Sequence, residues 1–215
     1  DEDFESTEGD PDMFANSPFD DKNFNNVIGI GGGAGGKFGG RFGGNRNLRA
    51  AGGRGTEQAL KDGLEWLKKH QDEDGKWDSD EFMKHDPDND KCDGAGYPNH
   101  DVGLTGLALL AFLGDGNTLR RGPYKDVVTD GIKWLRDQQD FETGLFGEDI
   151  GHSFLYDHSI ATLSVCDAYY FSKSALIKST AQKGSNYITK ARNPYGAWRY
   201  DVPPAGDNAT PVTGR

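Results

Sequence analysis

The chain has 215 residues, only 34% of them hydrophobic, with 31 glycines and a formal net charge of −11. Thirteen of those glycines fall between Gly29 and Gly55, where five basic residues meet no acid, whereas residues 1–28 carry nine acids against Lys22. No apolar run of about eighteen residues is present to cross a bilayer, and no basic start followed by an apolar core marks a signal peptide. The chain begins at Asp1 rather than Met, which leaves room for an export signal or anchor ahead of it, and no compartment is implied. Its acidic balance speaks against nucleic acid as a partner, because phosphate contacts need a concentrated basic face. Cys92 and Cys166 are too few and too far apart for a disulfide framework.

Three segments follow in chain order. Residues 1–28 are acidic, with isolated Phe4, Phe14, Phe19 and Phe24, and residues 29–55 are a Gly/Arg/Phe-rich linker. Neither buries enough apolar surface to offset chain entropy, so both are expected to be disordered. From residue 56 to residue 215 the pattern is helical. Thr56 is the expected N-cap of an amphipathic helix carrying Leu60, Leu64, Trp66 and Leu67 to about His70, stopped by Asp74-Gly75. Val102–Leu113 is apolar nearly all round, which predicts a helix buried on most sides. Tyr124–Gln139 is amphipathic, Phe154–Phe171 mostly apolar, and Ser174–Ala191 amphipathic again.

This alternation is also a sequence repeat. Gly63-Leu-Glu-Trp-Leu67 aligns with Gly131-Ile-Lys-Trp-Leu135 and Gly184-Ser-Asn-Tyr-Ile188. The turns behind them fall into register: Gln71, Gly75 and Trp77; Gln139, Gly144 and Phe146, one residue longer; Arg192, Gly196 and Trp198. The buried helices align on Asp101-Val-Gly-Leu-Thr105, His158-Ser-Ile-Ala-Thr162 and Ala209-Thr-Pro-Val-Thr213. The aromatic positions lie 68 and then 53 residues apart, so the first helical hairpin carries an insertion, placed at Phe82–Pro98.

Gln-x-x-x-Gly-x-Trp between amphipathic and buried helices resembles the QW motif of squalene and oxidosqualene cyclases. More broadly, residues 56–215 resemble the α/α toroid shared with protein prenyltransferase β-subunits. The resemblance implies an all-α fold, a partial α/α toroid of inner and outer helices that is incomplete at its C-terminus. It assigns Gln71, Gly75, Trp77, Gly144, Phe146, Gly196 and Trp198 to a structural repeat motif rather than to catalysis. Squalene–hopene-type cyclases place Asp-x-Asp-Asp-Thr-Ala at the start of an inner helix; here Asp101 and Thr105 match, but Gly103 and Leu104 occupy the acid positions. The catalytic residues are therefore unknown. The expected function is a ligand- or partner-binding, degenerate member that takes an apolar or isoprenoid ligand or a protein partner. The alternative is a triterpene cyclase whose acids lie beyond Arg215.

His100, Asp101, Tyr156, Asp157 and His158 cluster at the starts of the buried helices, so they are the pocket candidates. Asp101 and Asp157 would otherwise cap those helices. Prenyltransferases bind zinc through an Asp-x-Cys pair and a His, which Asp90, Cys92 and His158 would have to supply. Asp90 and Cys92 lie in the polar insertion, however, so no metal is assigned. Asp86, Asp88 and Asp90 alternate as in a calcium loop, yet Lys91 stands where the turn needs Gly, and a solvated loop is expected. Cys166 is expected to be a small core residue, and no cofactor is implied.

Overall fold

Apolar periods of 3.6 residues separated by Gly and Asp turns fold as five α-helices among the described residues. The computed structural model describes residues 53–193 and Trp198, with side chains from Gln58 onward. The helices are α1 (Gly53–Lys69), α2 (Asp101–Gly114), α3 (Lys125–Asp137), α4 (Phe154–Ser172) and α5 (Ala175–Lys190). Short 3-10 turns at Phe82–His85 and Pro98–His100 punctuate the insertion. The chain divides at Leu60 into two units, and every contact below lies in the second, residues 61–215. α1 begins at Gly53, three residues before the expected cap at Thr56, as a nucleated helix extends by single residues at little cost. Residues 1–52 of the two N-terminal segments, Gly196 and the third buried stretch at Ala209 lie outside the described residues, whereas Gly53–Gly55, expected in the linker, form the first turn of α1.

Among the described residues the fold is all-α, built of helical hairpins. The near-uniformly apolar helices α2 and α4 pack on one another; α3 lies against both and α5 against α4. Leu109, Phe112 and Leu113 of α2 are fully buried, as are Ala161, Val165 and Ala168 of α4. The amphipathic helices bury one stripe only: Val127, Val128, Ile132 and Leu135 on α3, and Ile177, Thr180, Ala181 and Gly184 on α5. The helix pair α2/α4 approaches closely at Gly106, where an added Cβ would lie 3.0 Å from the Ala161 backbone.

The turn motif joins hairpins in two equivalent copies. Gln71 donates its amide to Gly75 O (2.9 Å) and to Val127 O (3.0 Å); Gln139 donates to Gly144 O and Thr180 O (both 3.1 Å). One acceptor is thus the turn itself and the other a carbonyl of the next amphipathic helix, α3 or α5. Gly75 (φ +103°) and Gly144 (φ +86°) hold the left-handed backbone of each turn, with Asp130 O and Lys183 O where a Cβ would sit. The ring of Trp77 then lies over Gly131, and the ring of Phe146 over Gly184. Trp77 and Trp198 each donate the indole N–H to a carbonyl in the last turn of the preceding outer helix, Leu67 O at 2.7 Å and Ile188 O at 2.8 Å. Phe146 has no such donor, and neither does its position in the core require one.

The register of the buried helices differs from the sequence alignment by one turn. Trp77 N donates to Thr105 Oγ1 (2.9 Å), and Phe146 N donates to His158 Nδ1 (3.0 Å), so Thr105 is the partner of His158. The alignment had matched Thr105 with Thr162. What the geometry selects is an acceptor beneath the turn aromatic, and a hydroxyl and an imidazole nitrogen serve equally.

Gly75→Ala and Gly144→Ala should each cost at least about 2 kcal/mol, since the new Cβ meets both a positive φ and a backbone carbonyl. Gly63→Ala should instead stabilise by up to about 1 kcal/mol, because nothing lies within 4 Å of a Cβ at that helical position. Urea unfolding followed by helical circular dichroism measures all three.

Candidate ligand pocket

An apolar cavity of about 600 Å³ opens between the end of α1, the insertion, and the exposed sides of α2 and α4. Its walls include Trp66, Phe82, Leu104, Leu107 and Ile160. Trp66 was expected on the buried face of α1. Instead it is 46% exposed and stacks on the His70 ring at 3.7 Å, both rings lining the pocket. Leu104 and Leu107 point away from the α2/α4 contact, so the helix that is apolar all round is left with one uncovered strip.

The polar element of the pocket is one pair. His100, ending the 3-10 turn before α2, places Nδ1 2.9 Å from Asp157 Oδ2 in the first turn of α4. Both residues line the cavity. Burial raises the Asp157 carboxyl above its ordinary value, and the bond and charge of His100 pull the other way. Gly103 permits the approach, because any side chain there would strike Asp157 Oδ1. With Nδ1 engaged, Nε2 of His100 is the ring nitrogen available to a ligand.

The other candidates are placed elsewhere. Asp101 turns to the base of the insertion, accepting from Ser79 N and Ser79 Oγ (2.9 Å each) and pairing with Lys76 at 2.7 Å. Tyr156 is exposed and is no part of the pocket wall. Neither Asp101 nor Asp157 is an N-cap: the cap residues are His100 and Ser153, and each acid sits one or more residues inside its helix. There the acids still complement the helix dipole.

His158 is fully buried and faces the repeat interface. Its Nδ1 accepts from Phe146 N and its Nε2 donates to Gly184 O at 3.2 Å, a pattern that the neutral ring satisfies completely. Burial pushes its pKa down to about 4, with the Gly184 carbonyl opposing. A neutral, double-bonded His158 in the core and Asp90 and Cys92 in the exposed loop cannot share a metal ion. The calcium-like acids diverge as well: Asp86 faces His70, while Asp88 is exposed and pairs with Lys91.

Among the described residues, the carboxylates whose oxygens converge are those of Asp78, Asp80 and Asp101. Lys76 Nζ already lies 2.8 Å from Asp78 and 2.7 Å from Asp101, taking the place a cation would occupy. Burial alone would lower the Lys76 ammonium, but the bonds and charges of Asp101 and Asp78 outweigh it and hold it above the ordinary lysine range. This cluster ties the turn after Trp77 to the start of α2, which is a structural task. Sequence reasoning missed Lys76 and Ser79 because they reach Asp101 across 25 and 22 residues with no periodic signal.

No protein-family model, curated protein or solved structure matches the chain. No helix among the described residues is long and apolar enough to cross a membrane.

His158 has a measurable consequence for stability. Its folded pKa is depressed, so between about pH 6.5 and 4 the unfolded chain binds a proton that the native state refuses. Its contribution is complete above the unfolded pKa and falls by roughly 3 kcal/mol as pH drops through that window. His158→Gln should flatten this part of the curve of unfolding free energy against pH, measured in urea at steps from pH 7.5 to 4.

Proposed function

We propose that this chain is a squalene-cyclase-like α/α-toroid repeat domain that binds an apolar ligand, of isoprenoid type, without transforming it. The observation that carries the reading is the cavity of about 600 Å³ with apolar walls and one convergent polar pair, His100–Asp157. Its size falls in the range of small-molecule sites, about 300–1,000 Å³. Trp66, Leu104 and Leu107 offer exposed apolar surface, and each ligand CH₂ covered there contributes about 0.8 kcal/mol. His100 Nε2 gives a hydroxyl or carbonyl head a partner and so fixes which end of the ligand lies against α4. Gly103 and Leu104, at the positions where the resemblance would place acids, support binding over catalysis.

One observation favours the alternative, a triterpene cyclase whose Asp-rich motif lies beyond Arg215. Asp157 is a carboxyl raised by burial beside apolar space, the condition that alkene protonation requires. Its pairing with His100 speaks for the ionised form and hence for the binding reading.

Farnesol and squalene, titrated against the full chain, separate these readings. Leu107→Asp should weaken both by about tenfold or more without changing helicity, since Leu107 is 52% exposed. His100→Ala should weaken farnesol several-fold and leave squalene unchanged, because only the alcohol has a head to anchor. If neither lipid binds, or Leu107→Asp binds as tightly as the native protein, the pocket is not a lipid site. A cyclised product from squalene would establish the enzyme reading.

A further inference from the structure

The insertion between Trp77 and α2 has no counterpart in the second hairpin, where Phe146 is followed within eight residues by α4. It supplies Phe82, Gly94 and Gly96 to the wall of the pocket. Its attachment runs through histidine–aspartate pairs. His70, just beyond α1 and buried, sets Nδ1 2.7 Å from Trp66 O and Nε2 2.9 Å from Asp86 Oδ1. The other oxygen of Asp86 accepts the backbone N–H of Cys92 at 3.0 Å, so one carboxylate pins the tip of the insertion to the end of α1.

Both partners of His70 are acceptors. Trp66 O is a carbonyl, and Asp86 is held below the ordinary carboxylate range by the Cys92 N–H first and by His70 second. Only an imidazolium donates from both ring nitrogens. A neutral ring would set a lone pair against the carbonyl oxygen or against the carboxylate. His158 is the opposite case: one donor and one acceptor face it, and the neutral ring suits both. The indole of Trp66 stacks on the His70 ring at 3.7 Å and holds its plane.

The surrounding charges do not replace this bond. The His85 ring lies edge-on at 5.9 Å from His70, with its own Nε2 2.6 Å from Asp72. Lys84 bridges Asp72 (2.7 Å) and Asp78 (3.4 Å) and lies 3.8 Å from Glu81. These contacts hold the start of the insertion at Phe82–His85, whereas the stretch from Asp86 to Cys92 is fastened through Asp86.

We infer that the insertion is a proton-dependent wall of the pocket: doubly protonated His70 clamps Asp86 with a charged bond, and loss of that proton weakens the clamp and loosens residues 86 to 95, Gly94 of the wall included, as far as Gly96, whose N–H is held by Ser79 O. That release opens the cavity rests on the ligand-pocket reading; the release itself does not. The two acceptors set the direction of the effect: closed while both ring nitrogens carry protons, loosened when one is lost.

Backbone hydrogen exchange of the full chain at about pH 5.5 and about pH 8, normalised for the intrinsic exchange rate, tests it. Residues 86–95, and the Cys92 amide above all, should open roughly tenfold more at the higher pH, the scale of one charge-assisted hydrogen bond. His70→Gln should exchange alike at both pH values. Asp86→Asn takes the charge out of the same bond from the loop side and should flatten the step, which keeps the test valid if His70→Gln does not fold. His85→Gln should retain most of the step. A native protein whose normalised exchange is the same at both pH values, or a step that vanishes with His85→Gln and survives Asp86→Asn, overturns the inference. Farnesol binding at the same two pH values separates the two readings: a step in exchange with no farnesol bound at either pH rejects the lipid pocket and leaves the proton-dependent wall standing.

Discussion

A glycine held at positive φ against the backbone carbonyl of the next outer helix is the joint on which this architecture depends. At Gly75 the carbonyl is Asp130 O and at Gly144 it is Lys183 O. No Cβ fits in either place, and the close approach lets the following aromatic slide beneath the next hairpin and cover Gly131 or Gly184. The glutamine amide then spans the joint to Val127 or Thr180. A single hairpin cannot bury both faces of its apolar helix, so stability is passed between neighbours through such joints, as in other repeat proteins.

Equivalent joints need not carry equivalent side chains. Beneath the first turn aromatic the acceptor is the Thr105 hydroxyl; beneath the second it is the His158 imidazole. That substitution places a titratable ring in the core at a site where its neighbours demand the neutral form. The insertion does the reverse with His70, surrounding it with acceptors next to the pocket. Two buried histidines in one small fold thus meet opposite hydrogen-bonding surroundings.

The helices were legible because burial against one neighbour or several writes a 3.6-residue period or an unbroken apolar run. The predicted spans Val102–Leu113 and Phe154–Phe171 became Asp101–Gly114 and Phe154–Ser172. The alignment of α2 with α4 was displaced by one turn, because sequence similarity matched threonine to threonine while the fold matched acceptor to acceptor. Of the five pocket candidates, His100 and Asp157 meet at the cavity; Asp101, Tyr156 and His158 do not. A helix start presents side chains in several directions, and which of them face the cavity depends on the rotation of α2 against α4, fixed in part by the contact at Gly106.

Composition and period alone therefore determined an all-α chain of hairpins, the turn motif that joins them, and the place of an insertion in the first one. Those features are local: glycine, glutamine and an aromatic at fixed offsets need only their own helix and turn. The tertiary structure decided which apolar side chains would have no partner, leaving Trp66, Leu104 and Leu107 around a cavity. It also decided that His100 would find Asp157 across 57 residues and His70 would find Asp86 across 16. Pairings of that kind follow from how helices rotate and how a loop returns to the fold, and no residue spacing encodes them.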